Sequence, residues 1–305
     1  MSDRIEASWL GLRRAEDSRA RQASLPLIQA LANSLTPEVT DRPRLSVLDI
    51  GAGTGANAQW LAPQLDHALS TAGASSISQH WRLLDHDQAL LDARRVDLAR
   101  GQYRVSEYVG TVADVAALLE ESRGEAAGVI VTCSALLDVL TPRDIDVLVT
   151  SAVASADAAL LAMSVTGEIQ IDPPDADDDM VTDLFNAHQQ RRLSGDCAAQ
   201  GAAGPAGWNH AVVAFQASGW SVQLAATPWL LGHGSAPLTL RWLTERAEAA
   251  AQMTPDSATA TRVRDWLARR LRHGERSGLE VQVDHMDVLA LPPRSISAQM
   301  SSPRQ

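Results

Sequence analysis

Gly51, Gly53 and Gly55 follow the apolar run 45–50 and lead into a stretch of helical spacing. Glycines at alternating positions let the chain turn tightly and let a ligand approach bare backbone. Four chemistries compete for such a loop. Gly51, Gly53 and Ala56 satisfy the G-x-G-x-x-G/A pattern of a dinucleotide site, but the ribose-binding acid that fold wants roughly 20 residues on falls where the chain has Thr71 and Gly73. A phosphate loop needs a lysine, and all 26 basic residues are arginine. A turn without ligand and a loop for a nucleoside-bearing ligand both remain.

The elements that must position this loop alternate. "LSVLDI" reads as a strand and "NAQWLAPQL" as a helix; "HWRLLD" is a strand ending at Asp85, followed by a helix over 88–99. "YRVSEYV", "AGVIVTCS" and "AALLAMSV" supply three more strands, separated by the helices "DVAALLEE" and "PRDIDVLVTSAVA", the second with proline at its start. Five strand-helix alternations imply right-handed crossovers and a parallel sheet covered on both faces. After residue 167 come the acidic loop "IDPPDADDD", a helix over 180–193, the glycine-rich "GDCAAQGAAGPAG", a helix from Trp208, the strand "WSVQLAA", two helices broken at "TPDS", and a last strand over 279–291. The expected organisation is an N-terminal helical segment over 1–40, a core over 41–167, a lid insertion over 168–207, the rest of the sheet with its own helical insertion over 208–291, and a disordered tail over 292–305.

"VLDIGAGTG" resembles motif I of the class I S-adenosylmethionine-dependent methyltransferases, "LLDHDQALLDAR" their second motif, "VADVAALL" their third, and "VIVTCSALLDVLT" their fourth strand and its exit. The resemblance covers about 45–165. It implies an α/β fold with a Rossmann-like, seven-stranded, mostly parallel sheet, the last strand antiparallel between the fifth and sixth, helices on both faces, and helical insertions forming a lid. It implies S-adenosylmethionine as cofactor, met by the loop Gly51, Ala52, Gly53 and Gly55. Asp85 would grip the ribose hydroxyls with His86 beside it, Asp114 and the Val115 amide would meet the adenine edge, and Ser134 would line the pocket. Asp49 is expected to orient the glycine loop through its amides, and Asp85 to face solvent in the empty protein. Arg19 or Arg21 would reach the cofactor carboxylate, with Arg21 taken as the binding residue.

The net charge of −11 opposes nucleic-acid binding, which depends on basic side chains displacing counterions from phosphates. The missing lysine also excludes Schiff-base chemistry and a lysine base. Two cysteines, Cys133 and Cys197, lack zinc-ligand spacing, and no metal is expected. No apolar run reaches the roughly 20 residues of a membrane span, and residues 1–10 do not read as a signal peptide, so no membrane partner and a cytoplasmic location are expected. A homodimer is left open.

For the acceptor, "DPPD" at 172–175 is similar to the Asp-Pro-Pro-Tyr motif of amino-group methyltransferases. It follows the wrong strand and lacks the aromatic, so it is set aside. The acidic run "DADDD" reads as solvated. His188, with Gln189 and Arg192, sits on a helix beside the expected mouth and is the candidate general base; a surface histidine is the competing reading. His210 is a weaker candidate, and His285 reads as a core histidine. Trp9, Trp208 and Trp229 fall where they could wall a cavity for an aromatic or heterocyclic acceptor. The reading is a methyltransferase acting on a small molecule by O- or N-methylation. A nicotinamide-dependent oxidoreductase and a cofactor-binding protein without transferase chemistry are the rivals.

Overall fold

The computed structural model describes residues 6–41, 44–74, 76–94, 103–191 and 201–293, with the side chains of 37–41 and 277 excepted. Five strands, β1 (Arg44–Ile50), β2 (Ser78–Asp85), β3 (Tyr103–Val109), β4 (Gly128–Ser134) and β5 (Ala158–Asp172), pair in parallel, and β8 (Glu280–Leu291) runs antiparallel between β5 and β6 (Ser221–Ala226). The order is β3-β2-β1-β4-β5-β8-β6, the arrangement expected from the resemblance. Strand order reverses between β1 and β4, so a crevice opens at their carboxyl ends, where ligands bind in open α/β sheets. From its second residue on, β1 is buried throughout, and β4 is buried up to Ser134. Runs without alternation therefore mark the strands covered on both faces.

The sheet has an eighth strand that the sequence reading lacks. β7 (Trp229–Leu231) pairs with the same edge of β8 that β6 occupies further along. The two are one edge strand interrupted at Thr227-Pro228, because proline has no N–H to give the ladder.

β5 also runs further than expected. Its last four residues pair with β8 up to Asp172↔Glu280 after register shifts between Leu161/Ser164 and Val165/Ile169, and the strand is continuous to Asp172, so residues 168–172 belong to the sheet and not to an insertion. The first shift opens at Met163, whose φ is +56°. The amide freed there donates to Asp287 Oδ1 at 2.7 Å, and the Thr227 hydroxyl donates to the same oxygen at 2.8 Å.

The N-terminal segment forms α1 (Ala7–Ala20) and α2 (Leu25–Asp41), joined by a single turn Arg21–Ser24. Helices α3 (Ala56–Thr71), α4 (Gln88–Asp92), α5 (Val115–Glu125) and α6 (Pro142–Ser155) fill the crossovers. The helix expected over 88–99 is shorter: α4 ends at Asp92 with its cap at Ala93, and residues 95–99 lie outside the described residues. Beyond β5 come α7 (Asp178–Gln189), α8 (Gly207–Ala217), α9 (Ala236–Ala251) and α10 (Ser257–Ser277). Arg192, Cys197 and the tail from 294 also lie outside the described residues. Among the described residues, no helix is long and apolar enough to cross a membrane.

The acidic run is ion-paired rather than solvated. Arg269 bonds Asp175 at 2.7 and 2.8 Å and Asp177 at 2.8 Å, Arg262 bonds Asp177, and the buried Arg270 bonds Asp178. The Arg269 hydrogen bonds hold the Asp175 carboxyl down to about 2. Asp178 and Asp179 open α7, where negative charge complements the helix dipole, so the helix starts two residues before the expected Met180.

Candidate active site

The glycine loop is a left-handed turn at the end of β1. Gly51, Gly53 and Gly55 have φ of +64°, +53° and +78°. A Cβ on Gly51 would stand 2.7 Å from Leu136 Cδ1, so that position excludes a side chain on two grounds. The Ala52 amide donates to Leu84 O at 3.1 Å and the Gly53 amide to Asp85 Oδ2 at 2.7 Å. The loop is thus held to the end of the neighbouring strand.

Asp85 does not face solvent as expected: it is 5% exposed, because its second oxygen accepts from the Asp87 amide at 2.9 Å. His86 Nδ1 lies 3.4 Å from that oxygen on an otherwise exposed ring. Asp49 departs from expectation too. Its Oδ1 accepts from Asn57 Nδ2 at 2.7 Å, and Asn57 also reaches Thr132 Oγ1 at 3.2 Å. Asp49 therefore fixes the first turn of α3 and not the loop amides. Burial pushes its carboxyl up to about 7, against the opposing pull of Asn57 and of the Arg21 charge.

At the third motif, Asp114 is exposed and its Oδ2 accepts from the Thr111 amide at 2.8 Å, closing a capping box. The Val115 side chain is buried and its amide donates to Val112 O. Ser134 ends β4, half-buried, at the mouth of the crevice.

Of the two arginines considered for the cofactor carboxylate, Arg19 is exposed and paired with Glu16, while Arg21 is 3% exposed and stacks on Trp60 with its guanidinium carbon 4.1 Å from the ring centroid. Burial lowers the Arg21 pKa against the charges of Asp287, Asp17 and Asp49. Among the described residues its Nε and Nη2 have no hydrogen-bond partner, and neither do Asp49 Oδ2, Thr54 Oγ1 and Asn57 Oδ1, all buried. Buried polar atoms are nearly always paired. One cation, one carboxylate oxygen, one hydroxyl and one amide oxygen around a glycine turn make a donor and acceptor set that fits the zwitterionic amino-acid end of S-adenosylmethionine.

Under α7 the arrangement differs from expectation. His188 has both ring nitrogens engaged: Nδ1 with Arg191 Nη1 at 2.8 Å, and Nε2 with Gln252 Oε1 at 3.2 Å. The acid that reaches this region is Asp138, four residues beyond β4, which the sequence reading passed over inside an apolar run. Gln189 Nε2 donates to its Oδ2 at 3.2 Å, and desolvation raises its carboxyl pKa.

The tryptophans divide. Trp229 is buried, donates to Asp17 at 2.9 Å, and packs on Trp9 and on His285, whose Nδ1 bonds Val283 O at 2.9 Å. These residues knit α1 to β7 and β8. Trp208 packs against the core beneath α6 and α8, and His210 pairs with Asp146 at 2.8 Å.

No protein-family profile and no curated protein matches the chain. Among solved structures, it is similar to phosphoethanolamine N-methyltransferase 2 of Haemonchus contortus, with 12% identity over 82% of this chain and 49% of that one, at a TM-score of 0.36. The chain thus spans about half the length of that protein. It is also similar to a loganic acid methyltransferase, with 9% identity over 91% and 96% at 0.44, and to a cyclopropane synthase of Mycobacterium tuberculosis, with 12% identity over 86% and 83% at 0.40.

Proposed function

We propose that this protein is a methyltransferase that uses S-adenosylmethionine to methylate oxygen or nitrogen of a small acceptor with an aromatic or heterocyclic body. One observation carries the reading: at the switch point of the sheet, a glycine turn tied to Asp85 sits beside buried polar atoms of Arg21, Asp49, Thr54 and Asn57 that lack partners among the described residues. A carboxylate offers about four lone-pair sites, and Asp85 uses two on amides. The remaining two suit a ribose diol, with charge-assisted bonds each contributing about 1.5–3 kcal/mol. When bound, the cofactor supplies an electrophilic methyl carbon.

The chain then has to align an attacking atom and take up its proton. Alignment itself can supply about 7–11 kcal/mol of a two-substrate barrier. Asp138, whose carboxyl is made more basic by desolvation, is assigned as proton acceptor, and His188 as a brace between α7 and the end of α9. The net charge of −11 speaks for a metabolite and against RNA or DNA as acceptor.

Calorimetry with S-adenosylhomocysteine and NADH tests the cofactor. Micromolar binding of the first is expected, and binding of NADH alone overturns the reading in favour of an oxidoreductase. Incubation of the protein and methyl-labelled cofactor with a metabolite extract then separates a transferase, which moves label, from a protein that only binds.

A further inference from the structure

One buried arginine has no counter-charge among the described residues. Arg246, on α9, is 3% exposed, and its guanidinium carbon lies 4.1 Å from the ring centroid of Phe185 on α7 and 4.9 Å from that of Trp242 one turn back on α9. It forms no ion pair or hydrogen bond among the described residues, and Nη2 is sealed from solvent without a partner. Arg21 is the contrast, since Asp287, Asp17 and Asp49 all act on it. Burial alone brings Arg246 down to about 9, with no carboxylate pulling the other way. Two ring faces recover less than the hydration a guanidinium loses on burial. A guanidinium set within 5 Å of two ring centroids, with a nitrogen left without an acceptor among the described residues, is laid out for a planar anion of one negative charge.

The location ties this edge to the proposed chemistry. Phe185 and Gln189 stand four residues apart on α7 and therefore share a face, with Cβ atoms about 5–6 Å apart. Phe185 contacts Arg246, and Gln189 holds Asp138 at 3.2 Å. Among the described residues the Oδ1 of Asn186 and the Oε1 of Gln189 are buried there without partners, ready to accept from a hydroxyl or amine. We propose that Arg246 is a specificity residue that binds the carboxylate of an aromatic or otherwise planar acid, holding the acceptor by that group while its nucleophilic oxygen or nitrogen lies toward Asp138. The assignment of this acid as the methyl acceptor rests on the transferase reading; the anion site itself does not.

The test titrates the full chain, without cofactor, with benzoate, its neutral counterpart benzamide, and inorganic phosphate, following heat or thermal unfolding. Saturable benzoate binding is expected, at least about tenfold tighter than benzamide or phosphate. Arg246→Met should lose about tenfold or more of that affinity and Arg246→Lys should keep part of it, while both retain the S-adenosylhomocysteine affinity of the parent protein. Equal binding of benzoate and benzamide, tighter binding of phosphate, no saturable benzoate binding, or an Arg246→Met protein that binds benzoate like the parent would each overturn the proposal. If Arg246→Met does not fold, the ligand comparison on the parent protein and Arg246→Lys decides. Failure to bind S-adenosylhomocysteine would leave benzoate binding standing and sink only the transferase reading.

Discussion

The Gly53 amide donates to Asp85 Oδ2 at 2.7 Å across 32 residues of sequence. The carboxylate that would hold the ribose is thus also the group that shapes the loop beneath it. Asp85→Ala leaves the Gly53 and Asp87 amides without acceptors, so it is expected to lose both cofactor affinity and about 2–4 kcal/mol of stability. Urea unfolding beside calorimetry with S-adenosylhomocysteine checks this. A variant as stable as the parent would show that the loop does not depend on the clip.

Gly51 meets Leu136 in a similarly testable way. Gly51→Ala adds a left-handed penalty of about 1–2 kcal/mol to a clash with Leu136 Cδ1 at 2.7 Å. Leu136→Ala in the same chain should relieve the clash and leave the backbone penalty. A double-mutant cycle is expected to show coupling of about 1 kcal/mol or more; additive effects would mean that Leu136 simply moves aside.

His188 and Asp138 separate by their hydrogen bonds. With Nδ1 and Nε2 both engaged by Arg191 and Gln252, the imidazole of His188 has no lone pair aimed at a substrate. His188→Ala is expected to keep label transfer within about threefold of the parent, whereas Asp138→Asn should reduce it by about 10²-fold or more, the usual contribution of a general base. The reverse ranking in initial rates would return the role to His188.

The parts of this architecture legible in the sequence are those set by local chemistry. A positive φ demands glycine, so "GAGTG" announced the turn, and strands buried on both faces read as unbroken apolar runs. The remainder depends on partners far along the chain. The polar tail of β5 is a strand because β8 pairs with it, and the acids at 175–178 are fixed by arginines about 90 residues later. Asp138 and Arg246 could not be singled out because what surrounds a charged side chain is a tertiary fact. An acid inside the apolar run "ALLDVL" was the one signal available for Asp138.

The same tertiary burial predicts two opposed pH dependences. Asp49 titrates at about 7 in the folded chain and near 3.9 when unfolded, so the folded state holds an extra proton between these values and the contribution of this group falls as pH rises from about 4 to 7. His285 is pushed down to about 4, by burial first and then by the Arg13 charge. The unfolded imidazole takes up its proton near 6.5, so the contribution of His285 is present above that pH and lost as pH falls toward 4. The two trends oppose each other between about pH 4 and 6.5 in the parent protein, and single substitutions should separate them. Asp49→Asn is expected to gain on the parent as pH rises from 4.5 to 7, and His285→Gln to gain as pH falls from 6.5 to 4.5, each on the order of 2–3 kcal/mol. Urea unfolding at four pH values reads both differences. Offsets that stay constant with pH in either variant would mean that the group titrates alike in the folded and unfolded chain, and would remove its buried charge state from the account of the site.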